Sequence, residues 1–429
     1  MFDRLVNRDR DDDNVLTLTA SKGESRQIKK QRKGRGDPSV FEGEDAFKGP
    51  WASYSEDSES SFEDDEQEQP QIYDVEPPPQ AAIHTISRPP SETSEYFGPE
   101  GVPLMDTPFG VKLDFSIEPG SQKCYVPKKR IHVFSGHRGG VQAIQFLPRT
   151  GHLLLSCGND NSIKIWDTYR GKHLARGYYG HTKPVKFVQF NSDGTRFLSC
   201  SYDKYVKLWD TETGNCLYKK RLRSFPNVVK FNPNNENEFL VGTTRMTVEH
   251  YDVSTDEIIQ TYEHHMGSVN YLEFIASDQN FVTSSEDKSL KIWDLRINMP
   301  IKQIADPKQH SMPYLREHPG GNYFVAQSMD NTIVTFSSKK ADKFRRIKKK
   351  TFRGHNSAGY SVGVQFTPDG RNLVSGDSYG YTYFWDWNTT KLVKRIKVDE
   401  KVISCVDTHP IESSMVAMAG ISGNIYLYD

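Results

Sequence analysis

Three sets of one histidine, one hydroxyl residue, one aspartate and one tryptophan recur along the chain. The members are His137, Ser156, Asp160 and Trp166; His181, Ser199, Asp203 and Trp209; and His265, Thr283, Asp287 and Trp293. A histidine paired with an aspartate is the dyad of general acid–base catalysis. A buried imidazole, carboxylate, hydroxyl and indole N–H can instead satisfy one another, and one group left unpaired costs about 1–3 kcal/mol. The three-fold recurrence, in register with predicted strands, favours this structural interpretation.

The elements that must position these side chains repeat with one period. The spacings between the seven marker dipeptides are 43, 42, 42, 43, 49 and 43 residues. These are the lengths of WD40 repeats, which supply four strands to each blade of a β-propeller. The dipeptides are Trp166-Asp167, Trp209-Asp210, Tyr251-Asp252, Trp293-Asp294, Phe336-Ser337, Trp385-Asp386 and Tyr428-Asp429.

Within a repeat the strands are visible as short apolar runs separated by turn residues. The second repeat reads PVKFVQF, RFLSCS, YVKLWD and CLYKKRL, with turns rich in Gly, Asp and Asn between them. Such runs of five to seven residues predict β-strands. The sequence therefore predicts an all-β fold, a seven-bladed WD40 propeller.

Repeats three, five and seven lack the full set of four. Arg245 takes the aspartate position of repeat three, and Ala326 replaces the hydroxyl of repeat five. We expect these divergent blades to be looser and to be places for partner contacts. Repeat six has Tyr379 at the aspartate position and keeps the other three residues, His355, Ser375 and Trp385.

The seventh repeat ends at its third strand, ISGNIYLYD, with no residues left for a fourth. Arg130–Ser135 precedes the first repeat at the place where a fourth strand belongs. Pairing this segment with the last repeat closes the ring and removes an open sheet edge. We therefore place the propeller at residues 128–429.

Composition predicts a soluble intracellular protein. The five cysteines are far apart without a CxxC pair, and no signal peptide or long apolar run is present. The net charge of −1 gives no global field that would favour nucleic acid or membrane. Metal-ligand spacings, phosphate loops and nucleophile elbows are absent from the sequence, so we expect no catalytic residue, cofactor or metal.

Residues 1–95 are predicted to be a largely disordered arm, because block charges and prolines bury too little apolar surface. Between residues 22 and 36 the chain holds seven Lys or Arg, and between 55 and 68 it holds eight acidic residues. The basic block could be a nuclear import signal, a phosphate-binding arm or a solvated charge run. Its candidate contacts are Lys29, Lys30, Arg32, Lys33 and Arg35.

Two apolar islands interrupt this polar background. The first contains Pro50, Trp51 and Tyr54 and is interpreted as a short docking motif. The second lies in residues 96–127, includes Phe109, and is expected to be an extended strap lying on partners. The alternative for both is packing against the chain's own propeller.

The long spacing of 49 contains nine Lys or Arg between Lys339 and Arg353, with one acidic residue. We interpret this run as an extended loop that contacts RNA phosphates or an acidic protein, or else as a solvated hairpin. Three further cations lie at the seam of the ring. The candidate contacts are Arg345, Arg346, Lys348, Lys349, Lys350, Lys128, Lys129 and Arg130.

Trp293–Arg296 matches the WDxR box by which some propellers join cullin-type ubiquitin ligases. A substrate receptor of such a ligase is therefore the alternative function. An arginine two places after Trp-Asp is also common by chance.

Several segments are not generic to WD repeats, and they include CYVPKKRIHVFSGH, QHSMP, AQSMDN and WDWNTTKL. With them the chain resembles the pre-mRNA-processing factor 17 family of WD-repeat splicing factors, from Cys124 to Asp429. The resemblance implies a nuclear, non-enzymatic scaffold that acts in the second catalytic step of splicing, exon ligation. It also implies contacts with spliceosome core proteins, other splicing factors, snRNA and pre-mRNA, and no membrane or small-molecule substrate.

Overall fold

The computed structural model describes residues 93–98, 103–108, 117–275, 279–339 and 344–429. All regular elements within these ranges are β-strands. The first fifteen are β1 Thr93–Tyr96, β2 Arg130–Phe134, β3 Val141–Phe146, β4 Leu153–Gly158, β5 Ile163–Asp167, β6 Leu174–Tyr179, β7 Val185–Phe190, β8 Arg196–Ser201, β9 Tyr205–Asp210, β10 Cys216–Arg221, β11 Pro226–Asn232, β12 Asn235–Thr243, β13 Thr247–Asp252, β14 Ile258–Glu263 and β15 Val269–Ile275.

The remaining strands continue the same pattern to the end of the chain. They are β16 Asn280–Ser285, β17 Leu290–Asp294, β18 Ile297–Ile304, β19 Tyr314–Glu317, β20 Tyr323–Ser328, β21 Thr332–Ser337, β22 Arg346–Arg353, β23 Val364–Phe366, β24 Asn372–Ser375, β25 Tyr381–Asp386, β26 Leu392–Lys397, β27 Ile403–Thr408, β28 Val416–Gly420 and β29 Ile425–Tyr428.

Seven antiparallel sheets form the blades of a propeller, as the repeat period predicts. The first strands of neighbouring blades contact one another around a complete ring, which β27 and β3 close. These inner strands line the central channel. The outer strands, in blade order, are β6, β10, β14, β18, β22, β26 and β2.

The cores of blades 2 to 5 share an aromatic stack between the second and third strands. Phe197 stacks on Trp209 with ring centroids 6.3 Å apart, and Phe281 on Trp293 at 6.1 Å. Both tryptophans are almost fully buried. Burial of such a ring contributes a large part of the hydrophobic stabilisation of a blade. The marker tryptophans of the sequence are thus core residues.

The ring is closed by β2, which pairs antiparallel with β29 and completes blade 7. This is the place that the repeat count assigns to Arg130–Ser135. Phe134 is buried against Trp166 of blade 1, with ring centroids 5.3 Å apart. The backbone N–H groups of Lys128 and Lys129 donate to the Asp429 carbonyl at 2.8 and 2.7 Å, and extend the seam.

Blade 1 has a fifth strand, because β1 pairs antiparallel with the outer strand β6. Thr93, Ser94 and Glu95 therefore belong to the ordered propeller, although the sequence analysis assigns them to the arm. The pairing covers the edge of blade 1 that would otherwise offer unpaired backbone groups.

Candidate interaction surfaces

All twelve residues of the three complete sets are joined by hydrogen bonds in blades 1, 2 and 4. His137 Nδ1 lies 3.0 Å from Asp160, its Nε2 lies 2.8 Å from Ser156 Oγ, and Trp166 Nε1 donates to that oxygen at 2.8 Å. The second set has the corresponding distances of 2.8, 2.8 and 2.9 Å. In the third set they are 2.9, 2.7 and 2.8 Å.

A tight turn between the second and third strands positions each aspartate. The residue after it is left-handed, with φ of 63° at Asn161, 67° at Lys204 and 64° at Lys288. The aspartate then accepts the N–H two residues further on, as Asp203 does from Tyr205 at 2.9 Å. This local side-chain bond fixes the turn and aims the second carboxylate oxygen at the histidine.

Burial decides which protonation state these networks have. Burial lowers the pKa of His137 and of His265, even though the paired carboxylates raise it. For Asp160 burial is the largest single effect and raises the pKa, but the hydrogen bond and charge of His137, with Lys164 and Ser162, together outweigh it and hold the pKa well below its usual range. A neutral imidazole therefore donates from Nδ1 to the carboxylate and accepts the hydroxyl proton at Nε2.

This connectivity is that of an aspartate–histidine–serine triad, but the hydroxyl is closed to substrates. Ser156, Ser199 and Thr283 are all 0 % exposed. Each hydroxyl oxygen also accepts an indole N–H, so it is hydrogen-bonded to both the imidazole and the indole. The three sets therefore connect the strands of each blade, and they present no nucleophile to solvent.

Three lysines that the sequence analysis did not single out complete these networks. Lys164 donates to the Gly136 carbonyl, and Lys207 donates to the Gly180 carbonyl at 3.0 Å. In the third set Lys291 donates to the His264 carbonyl. The available signal was a lysine two residues before the tryptophan in these three repeats.

Repeat six differs from the partial set that its sequence predicts. His355 Nε2 lies 3.1 Å from Gln327 Oε1 of blade 5, and not beside Ser375. Trp385 Nε1 donates to the Arg353 carbonyl at 3.1 Å, and Ser375 Oγ to the Gly363 carbonyl at 3.3 Å. The buried Gln327 amide occupies the hydrogen-bonding position at His355 Nε2, so the three predicted members do not bond to one another.

Divergent blade 3 carries an open groove of about 740 Å³. Tyr251 stands at the tryptophan position, and its hydroxyl donates to Glu249 at 2.5 Å. Arg245, at the aspartate position, is exposed at the groove. Charges of both signs line this groove, including Lys220 and Glu263.

The described parts of the predicted strap lie on the propeller. The Glu212 carboxylate accepts the N–H groups of Leu104 and Met105, both at 2.9 Å, and Leu104 is 7 % exposed. Further along, the Cys124 N–H donates to Asp369 Oδ2 at 2.8 Å. For these residues the expectation of a strap lying on partners is replaced by packing on the chain's own blades. Phe109 lies outside the described residues.

The basic run that we expected to be a loop is largely a strand. Arg346 begins β22, the outer strand of blade 5, and Arg345 precedes it. Val334 of β21 pairs with Thr351, and Phe336 pairs with Arg346. The four residues between Arg346 and Thr351 therefore form a bulge opposite a single residue of β21, and Lys348 and Lys349 in this bulge are exposed. Outer strands tolerate such charge because one face and one edge meet water.

Lys350 has a different environment from its neighbours. Its Nζ lies 3.8 Å from the centre of the Trp387 ring and 5.4 Å from that of Tyr323. Burial lowers the pKa of this lysine. It serves as a cation–π contact between blades and is not a free surface charge.

At the seam, the cations Lys128, Lys129 and Arg130 are exposed beside β2. The outer strands of blades 3, 4 and 6 expose large apolar side chains. Those that are at least half exposed are Ile258, Ile259, Ile297, Met299 and Val393. Exposed cations and exposed apolar side chains therefore both occur along the outer rim.

The WDxR box is split between core and surface. Trp293 is buried in its network, whereas Arg296 is exposed in the turn after β17. The arm candidates Lys29, Lys30, Arg32, Lys33, Arg35, Pro50, Trp51 and Tyr54 lie outside the described residues.

The described ranges contain no group of three His, Cys, Asp or Glu side chains that could hold a metal ion. They also contain no helix long and apolar enough to cross a membrane.

The fold and the His–Ser/Thr–Asp–Trp networks define a WD40 β-propeller. The chain matches the WD domain, G-beta repeat family over residues 128–167, 171–210, 256–294 and 347–386. Three of these four segments are the repeats with complete networks, and the fourth is repeat six.

The whole chain identifies the family more closely. It is 42 % identical over 391 residues to Pre-mRNA-processing factor 17 of Saccharomyces cerevisiae, which covers 89 % of this chain and 86 % of that protein. It is 39 % identical over 395 residues to the proteins of the same name in Mus musculus and Homo sapiens, covering 90 % of this chain and 67 % of each. The chain belongs to the pre-mRNA-processing factor 17 family. WD repeat-containing protein 25 of Mus musculus is 26 % identical over 71 % of this chain and 58 % of that protein.

Proposed function

We propose that this protein is a non-enzymatic scaffold of the catalytic spliceosome that acts in the second step of splicing, exon ligation. The observation that carries the proposal is family membership across about nine tenths of the chain. The relatives are named for pre-mRNA processing, and such a role supports a nuclear protein that contacts spliceosome core proteins, other splicing factors, snRNA and pre-mRNA.

The geometry of the networks supports a scaffold over an enzyme. The hydroxyls that resemble nucleophiles are buried and each has two hydrogen-bond partners, so they are not accessible to a substrate. The chain then acts through surfaces: the open groove of blade 3, the apolar outer strands of blades 3 and 4, and the basic outer strands. Interfaces of this kind position partners without changing covalent bonds.

Depletion from a splicing extract tests the assignment to the second step. We expect lariat intermediate and free first exon to accumulate, because branching proceeds and exon ligation stalls. Adding back the full chain restores ligated exons. Accumulation of unbranched pre-mRNA would contradict the second-step role.

Affinity isolation from nuclear extract separates this proposal from a ubiquitin-ligase receptor. The scaffold proposal expects spliceosomal snRNAs to co-isolate with the chain. Isolation of a cullin adaptor without snRNA would instead favour the receptor. The variant Arg296→Ala is the matched control, and we expect it to leave snRNA recovery unchanged.

A further inference from the structure

Ring closure brings together two basic runs that are far apart in the sequence. β22 is the outer strand of blade 5, and β2, near the start of the propeller, is the outer strand of blade 7. Between them lies blade 6, whose outer strand β26 reads LVKRIK. Three neighbouring blades therefore carry basic outer strands on one continuous stretch of rim.

None of these three outer strands contains an acidic residue, and within two residues of their ends the one acid is Asp399. Ten exposed cations lie on them or within two residues of their ends, and we name this set the basic belt. Its members are Lys128, Lys129, Arg130, Arg345, Lys348, Lys349, Arg353, Lys391, Arg395 and Lys397. The belt is a strong local charge on a chain whose net charge is −1.

The belt cations have no acidic partner within the part of the chain that the structure describes. Among these residues, none of the ten forms a salt bridge with a carboxylate. On blade 2, by contrast, Lys220 of the outer strand β10 pairs with Asp256 at 2.8 Å. Unpaired cations on a common surface gain most from an anionic partner, which releases its own counterions on binding.

Aromatic rings hold part of the belt in place. The charged groups of Arg395 and Lys397 both lie over the Tyr381 ring, at 4.6 and 4.7 Å from its centre. Lys397 Nζ also donates to the Tyr379 carbonyl at 2.6 Å. Such contacts hold the stems while the charge still faces solvent, so less side-chain entropy is lost when a partner binds.

We infer that the basic belt binds the sugar–phosphate backbone of RNA. A nucleic-acid backbone carries evenly repeated charges and can contact cations along three blades. A single cluster of acidic side chains on a protein would contact only part of this row. The choice of RNA over DNA rests on the proposed splicing function. The charge argument itself does not depend on it.

The test measures binding of a fluorescein-labelled 20-nucleotide oligouridylate to the full chain by anisotropy across a salt series. The variant R130A/K349A/R395A removes one cation from each of the three blades that carry the belt. Losing about three phosphate contacts should lower the salt slope by about 2 and raise Kd at least tenfold at moderate salt. The control K219A/R221A/R223A removes three cations from blade 2 and should leave both values unchanged.

A 20-base-pair RNA duplex serves as the second probe. If the belt binds the phosphate backbone, the belt variant should bind both RNA probes with a higher Kd than wild type. The inference is overturned if oligouridylate does not bind, if both triple variants weaken it equally, or if the single change K349A alone accounts for the loss. It is also overturned if polyglutamate of equal charge displaces the RNA at equal concentration, which would assign the belt to an acidic protein.

These outcomes are separable from the proposed function. If snRNAs co-isolate with the full chain while purified chain binds no RNA through the belt, the scaffold role stands and the belt assignment fails. All variants should keep the wild-type thermal midpoint, because the substituted side chains are exposed.

Discussion

At the centre of each complete network, one hydroxyl oxygen serves both the imidazole and the indole. In blade 1 this is Ser156, which lies 2.8 Å from His137 Nε2 and 2.8 Å from Trp166 Nε1. Blade 6 offers a natural comparison, because Ser375 bonds only to backbone carbonyls. Serine at this position is therefore expected to contribute more to the free energy of unfolding in blade 1 than in blade 6.

Ser156→Ala should lower the free energy of unfolding by about 2–4 kcal/mol, because it leaves two buried polar partners unpaired. Ser375→Ala should cost less than about 1.5 kcal/mol, since only bonds to carbonyls are lost. Urea denaturation of both variants measures the difference. Equal losses would contradict the hydroxyl-centred network.

His355 gives the molecule a pH-dependent stability. Burial lowers its pKa to about 4 from an ordinary value of 6.5, against the opposite pull of Asp377 and Asp330. A lowered histidine pKa means that the unfolded chain takes up the proton first as pH falls. Stability is thus fully present above pH 6.5 and is lost between pH 6.5 and 4, by about 3 kcal/mol for this residue.

In His355→Gln this part of the pH dependence should disappear, so the variant should lose about 3 kcal/mol less than wild type over that window. Unfolding titrations at several pH values measure it. The same substitution at exposed His310 controls for removal of an imidazole. A wild-type slope in His355→Gln would show that other groups carry the effect.

Among the elements, β2 has the largest separation between sequence position and structural partner. Phe134→Ala should cost about 3–5 kcal/mol, because the ring is 2 % exposed between blades 7 and 1. We expect hydrogen exchange to rise first in β29 and β28. Phe352→Ala is the matched control: this buried ring of blade 5 packs on Trp385 and Trp387 of blade 6, so its faster exchange should stay in blades 5 and 6. The same exchange pattern in both variants would contradict a seam held by β2.

The sequence was sufficient for the repeat period, the closing strand and the network residues, because each leaves a local pattern with a fixed spacing. It was not sufficient for β1, since TSEY has no strand signature and forms a strand only against the free edge of β6. The charges of β22 favoured a loop, whereas an outer strand with a bulge accommodates them. The replacement of Ser375 by Gln327 at His355 depends on which side chain reaches the imidazole, and spacing does not encode that.

At the scale of the whole molecule, the described strap packs on the propeller, and the proposed scaffold role assigns function to interaction surfaces. Trp51→Ala should lower recovery of spliceosomal snRNAs severalfold if the motif around Trp51 docks on the spliceosome. The thermal midpoint should not change, because a docking residue contributes to binding and not to the blade cores. Immunoprecipitation and thermal unfolding of the same preparation measure both quantities. A parallel loss of stability would contradict the docking hypothesis, and Trp209→Ala shows what such a loss looks like.

The pairing of β2 with β29 also imposes an order of events during protein synthesis. Phe134 leaves the ribosome about 290 residues before its partner Ile425. At about 5–20 residues per second, this interval lasts on the order of 15–60 s. Throughout it, the backbone groups of β2 that later bond to β29 have no partner strand, and blades 1 to 6 are synthesised in the meantime. The nascent chain therefore carries an unpaired β2 edge for most of its translation, and an unpaired strand edge is a template for pairing with other chains.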